Sequence, residues 1–147
     1  MNQYSELINE AAVSAGFEPA DSIRPGAGAF LADGLRVGWE TNEKTAEAVF
    51  YVSIGTLPQS PSAQLCEFLL EQNCLGAATA GGHIGLYAPT RVLLYSFRTP
   101  LGSLDARALG NMLTVFVSKA PGLIREMQSY SAAESTDITF DGSMLWV

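Results

Sequence analysis

Residues 48–57, AVFYVSIGTL, limit this chain more than any other stretch. β-branched and aromatic side chains fall on both of its faces. An extended run that is apolar on both sides belongs in the middle of a sheet, with strands to left and right and a layer to cover it. Pro58 and Pro61 end the run, because proline cannot continue a central strand.

The flanking sequence supplies the neighbours. Leu35, Val37 and Trp39 alternate with Arg36, Gly38 and Glu40, the period of a half-buried strand. The polar residues 41–47 make a hairpin-like connection to the central strand. Residues 18–34 hold two prolines and three glycines and read as a loop, with a short strand at 29–32. Further on, residues 83–88 and 91–98 are two strands joined at Pro89-Thr90, an antiparallel hairpin.

Three helical patterns can cover such a sheet. Tyr4, Leu7, Ile8, Ala11 and Ala15 recur at helical spacing, which predicts a helix over 2–15 stopped at Gly16. Ser62 can cap a second helix over 62–73, with Leu65, Phe68 and Leu69 as its apolar stripe and Asn73 and Gly76 at its end. The longest stripe runs through Leu109, Met112, Leu113, Phe116, Val117, Ala120, Leu123, Ile124 and Met127, with Ser103 as cap and Asp105 in the first turn. Pro121-Gly122 interrupts it without changing its register, which predicts a kink. The elements read α-β-β-β-α-β-β-α. That is an α+β fold with a twisted antiparallel sheet of about five strands and three helices. Residues 1–130 form one domain, and residues 131–147 read as a mobile tail whose end, Met144-Leu145-Trp146, is apolar enough to dock.

Signatures of chemistry are missing. The single histidine, His83, has no nucleophile motif near it. Cys66 and Cys74 have neither metal nor redox spacing and read as buried small apolar residues. Gly26-Ala27-Gly28 lacks the rest of a dinucleotide fingerprint, and the glycines at 76–85 lead into a strand, where a phosphate loop leads into a helix. Glu40, Glu43 and Glu47 surround a loop, and Glu67 and Glu71 share one helix face; both groups read as solvated. The expectation is no enzyme, no cofactor and no metal site.

Charge and hydropathy then point to a protein partner. The formal net charge is −7, all of it in the first 74 residues, with 10 acids against 3 bases; the rest carries 5 of each. Nucleic acid and anionic membrane surfaces are disfavoured, since both need clustered Lys and Arg. Charged residues make up only 16% against 48% hydrophobic, which leaves a small domain with apolar surface for a partner. The N-terminal residues have neither the basic nor the apolar region of a signal peptide, and no apolar run is long enough for a membrane-spanning helix. A cytoplasmic location is the expectation.

A specific order of pieces runs through residues 65–127. A leucine-rich helix ends in asparagine (Leu69-Leu70-Glu71-Gln72-Asn73). A small-residue loop leads to a strand from Gly82 to Tyr87. A second strand ends in an apolar-Pro-Leu step between Phe97 and Leu101. Leu104-Asp105 then opens a long helix that contains Leu113, Phe116 and Val117. This region resembles the class I type III secretion chaperones, the Tir-chaperone-like family. Pro121-Gly122 and the segment after Tyr130 depart from the family pattern.

The resemblance implies a bacterial cytoplasmic α+β homodimer. It would bind a non-globular N-terminal segment of a secreted effector and keep it soluble and secretion-competent, without cofactor or membrane insertion. It places Leu65, Phe68, Leu69, Ile84 and Leu86 between core and dimer interface. It places Tyr4, Ile8, Leu35, Val37 and Trp39 against the client. Trp39 leads that group because it stands between polar neighbours. The alternatives are a secretion-linked regulator that sequesters another regulatory protein, or a small-ligand-binding α+β domain.

Overall fold

The run apolar on both faces forms β4 (Glu47–Thr56), and it has a strand on each side. The structure is a computed structural model and describes residues 3–19 and 24–130. In chain order come α1 (Gln3–Ser14), β1 (Glu18–Pro19), β2 (Ala27–Ala32), β3 (Leu35–Asn42) and β4. They are succeeded by α2 (Ala63–Gln72), a 3-10 turn (Cys74–Gly76), β5 (His83–Tyr87), β6 (Val92–Pro100) and α3 (Ala106–Tyr130). One antiparallel sheet takes the strands in the order β1-β2-β3-β4-β6-β5. The expected tail, 131–147, lies outside the described residues.

Register decides what faces the helices. Val37 lies opposite Phe30, Trp39 lies between Gly28 and Phe50, and Phe50 lies opposite Phe97. These residues share one face with Ala48, Val52, Ile54, Leu93 and Tyr95. Ile8 and Ala11 of α1, Leu65 of α2 and Leu109, Leu113 and Phe116 of α3 join them in a single core. All three helices therefore cover the same face of the sheet. The opposite face carries a smaller cluster of Tyr51, Val92 and Leu94 with no helix over it among the described residues. There Tyr51 lies across Gly38, where an added Cβ would stand 2.4 Å from its ring.

Several local expectations are corrected. The sheet has six strands among the described residues rather than about five, because Glu18 and Pro19 pair with Leu31 and Phe30 inside the segment read as loop. Two residues are too short for a period to register in sequence. Ser62 does cap α2, its Oγ accepting from the Leu65 N–H at 3.1 Å. At α3 the cap is Asp105, not Ser103. The Asp105 carboxylate accepts from the Ala108 N–H at 2.7 Å, and the helix begins one residue later. Pro121 sits inside one continuous helix of 25 residues. Cys66 and Cys74 are exposed rather than buried.

Candidate functional site

Two features lie outside the core. The first is a groove of about 520 Å³ where the turn between β2 and β3 approaches the C-terminal half of α3. Phe17, just past the end of α1, stacks on Phe30 with ring centroids 5.5 Å apart and forms one wall. Leu35 at the start of β3 and Ile124 of α3 supply the others, and Val117 is its buried floor. Phe17, Leu35 and Ile124 are only half-buried, so each keeps apolar surface toward the groove. Pro121 also lines it and cannot donate the helical hydrogen bond to the Val117 carbonyl. Arg125 and Asp33 of the turn also line the groove, and Arg125 makes no ion pair among the described residues.

The second feature is the edge of the sheet at β5. The Asn73 side chain, immediately after α2, works there as a short mock strand. Its amide donates to the Ile84 carbonyl at 3.0 Å and its carbonyl accepts from the Ile84 N–H at 2.7 Å. Backbone groups in an antiparallel edge strand point outward at every second residue, so Leu86 presents the next outward pair. Large apolar side chains are exposed on α2, on the turn after it and on β5: Leu70 is 72% exposed, Leu75 98% and Leu86 44%. Leu75 also holds a left-handed backbone, φ +58°, which costs a non-glycine residue about 1 kcal/mol or more and sets its side chain outside the α2 stripe.

The residues expected to meet a client divide sharply. Tyr4 and Leu35 are half-buried, and Leu35 lines the groove. Ile8, Val37 and Trp39 are 0–1% exposed and belong to the core. The reading of Trp39 as a surface residue is therefore corrected. Its polar neighbours lie on the opposite sheet face, so alternation aims the indole at the helices. The residues assigned to core or interface divide as well. Leu65 and Ile84 are buried, Phe68 and Leu69 are half-buried, and Leu86 is exposed. No sequence signal singles out Phe17 or Leu75. Each stands alone beside a glycine, outside any periodic stripe.

Glu40 is corrected too, from a solvated carboxylate to a buried one. It is 6% exposed on the helix-free face and pairs with Arg24 at 2.5 Å. Burial pushes its carboxyl up to about 7, against the lowering pull of the Arg24 guanidinium. His83 meets Ser96 across the β5–β6 pair, Nε2 to Oγ at 3.1 Å. Among the described residues the other ring nitrogen has no carboxylate or carbonyl partner. Among those residues no group of His, Cys, Asp and Glu could hold a metal ion, and no helix is long and apolar enough to cross a membrane.

Among the described residues all three helices cover one face of the sheet, and the apolar groove and the β5 edge, bonded by Asn73 at Ile84, lie outside that core in an α+β domain. The chain belongs to the Tir chaperone protein (CesT) family, whose model matches residues 6–123. No curated protein matches it in sequence. Three solved structures similar to it are of type III secretion or chaperone–effector complexes. The Yersinia pestis type III secretion chaperone SycH, in complex with a stable fragment of YscM2, is 24% identical with a TM-score of 0.60, over 82% of this chain and 99% of that one. The heterodimeric ExoU–SpcU complex from the type III secretion system of Pseudomonas aeruginosa gives 18% and 0.61, over 81% and 95%. The HopA1–SchA chaperone–effector complex gives 17% and 0.56, over 88% and 94%. At these identities the likeness establishes the fold.

Proposed function

We propose that this protein is a cytoplasmic type III secretion chaperone that binds an extended N-terminal segment of a secreted effector and performs no catalysis itself. The observation that carries this reading is the groove walled by Phe17, Leu35 and Ile124 in a chain of the chaperone family. A non-globular client gives up conformational entropy when it binds and must recover it through many contacts along its length. Apolar pockets beside exposed strand backbone supply such contacts. The acidic first half of the chain favours a client segment of positive charge. Tyr4 and Leu35 are the client-contacting residues in this proposal.

The exposed leucines at β5 support a second part of it, a symmetric homodimer built on α2 and the β5 edge. Leu69, Phe68 and Leu86 serve that interface, while Leu65 and Ile84 back it from the core. The test is co-purification from the native host, identification of the bound protein and mapping of the segment it protects from protease. A secreted protein protected near its N-terminus, and lost in Leu35→Asp, is the expected result. A metabolic enzyme complex, or client binding unaffected by Leu35→Asp, overturns the reading.

A further inference from the structure

The floor of the groove holds a backbone acceptor that its own helix cannot use. Val117, Pro121 and Arg125 stand at i, i+4 and i+8, so they share one face of α3, and all three line the groove. An α-helix pairs each carbonyl with the N–H four residues on, and Pro121 has none to give Val117. The two hydroxyls on the same wall are committed elsewhere. Thr114 donates to the Gly110 carbonyl at 2.9 Å, and Ser118 donates to the Val115 carbonyl at 2.6 Å. A ligand that fills the groove with hydrocarbon alone seals the Val117 carbonyl from water without a partner, which is unfavourable. A ligand that brings an N–H restores the missing bond.

Charge sets a second requirement. Arg125 and Asp33 both line the groove, and neither makes an ion pair among the described residues. Arg125 belongs to α3, the element that carries the open carbonyl, and Asp33 belongs to the β2–β3 turn. An acidic group on a ligand is drawn to the α3 side and repelled from the turn, which fixes the direction in which a segment lies. A guanidinium can hold that carboxylate with two parallel hydrogen bonds. The other walls, Phe17, Leu35 and Ile124, want a large apolar body. Tryptophan combines these properties, because its ring is broad and flat and its indole is a donor without an acceptor. A groove of about 520 Å³ has room for it.

We propose that the groove selects a client segment in which a tryptophan has an acidic residue beside it. The indole lies against Phe17, Leu35 and Ile124 and donates its N–H to the Val117 carbonyl, while the neighbouring carboxylate pairs with Arg125. This rests on the groove being the client site, and it names what that site reads.

Three small probes separate the two requirements: indole-3-propionate, its N-methyl derivative and its primary amide. Titrations of the full chain, followed by nuclear magnetic resonance, should show the parent acid binding in roughly the millimolar range expected of a fragment. The amides of Leu35 and Ile124 should shift. The N-methyl derivative and the primary amide should each bind about three- to tenfold more weakly, the loss of one hydrogen bond or one charged pair. Pro121→Ala returns an N–H to the Val117 carbonyl and should erase the preference over the N-methyl probe alone. Arg125→Gln should erase the preference over the primary amide alone. Equal affinity for the three probes, no binding of any, or preferences that survive both variants overturns the proposal. A client lost in Leu35→Asp but bound at full strength by Pro121→Ala and Arg125→Gln would keep the proposed function and sink this selectivity. The expected probe preferences, with client binding indifferent to Leu35→Asp, would do the reverse.

Discussion

A double substitution at Gly28 and Trp39 tests the core packing that contradicts a surface role for this tryptophan. The two residues are directly opposite in the β2–β3 register. A Cβ built on Gly28 would stand 2.7 Å from Trp39 Cζ2 and 2.9 Å from Cε2. With the indole 1% exposed, it has nowhere to retreat. Gly28→Ala should therefore cost about 1–3 kcal/mol, as overpacking in a dense core does. The nearest contacting atom, Cζ2, lies in the fused six-membered ring that phenylalanine lacks. Trp39→Phe removes that contact and loosens the space around the added Cβ. It also removes a buried N–H, since Trp39 Nε1 has no hydrogen-bond partner among the described residues. An orphaned donor costs about 1–3 kcal/mol, so part of the lost packing is offset. The double variant should be more stable than the sum of the singles by about 1–3 kcal/mol, a coupling typical of residues in contact. Urea denaturation monitored by far-UV circular dichroism measures all four corners. Penalties that add within about 0.5 kcal/mol would refute the packing argument. Trp39→Ala completes the test. It should cost about 3–5 kcal/mol, and an unchanged midpoint would return Trp39 to the surface.

Asn73→Ala should lose about 1–2 kcal/mol through the two bonds to Ile84 and speed hydrogen exchange at the Ile84 amide; unchanged exchange would refute the mock-strand role. Glu40 should make stability fall as pH rises. Its carboxyl keeps a proton in the folded chain up to about 7, against an ordinary value of 4.5, so the folded state binds more protons between these values. That decline should flatten in Glu40→Gln, read from the urea midpoint across that window, and an identical decline in both proteins would assign it elsewhere. The pair Leu75→Asp and Leu86→Asp should shift the particle toward the single-chain mass by light scattering, because an unpaired carboxylate at an apolar interface is costly. A wild type already at the single-chain mass would remove the homodimer.

Periodicity was enough for the elements that carry a long pattern. The run at 48–57 could only be a central strand, and it is β4. The stripe from Leu109 to Met127 is long enough to survive an internal proline, since the buried residues on both sides of Pro121 hold one register against the core. The order of helices and strands came from such local signals, together with the resemblance to the chaperone family. A two-residue strand such as β1 has no period to read, and Asp105 competes with Ser103 for a cap in a way only the backbone path resolves.

The site depended on information that a linear pattern does not contain. Alternation says that Trp39 and Glu40 point to opposite faces, but not which face the helices cover. Here both faces bury their residue, Trp39 under α-helices and Glu40 beneath Arg24 on the open side. The groove joins Phe17, Leu35 and Ile124, residues more than a hundred positions apart at the extremes, because the β2–β3 turn and α3 meet in space. Leu75 is exposed because of one left-handed residue after α2. Sequence thus determined the three helices and the longer strands, since hydrophobic periodicity is a local property. Which apolar residues are spent on the core and which remain for a partner was decided only by tertiary structure. Burial depends on what the rest of the chain places on top.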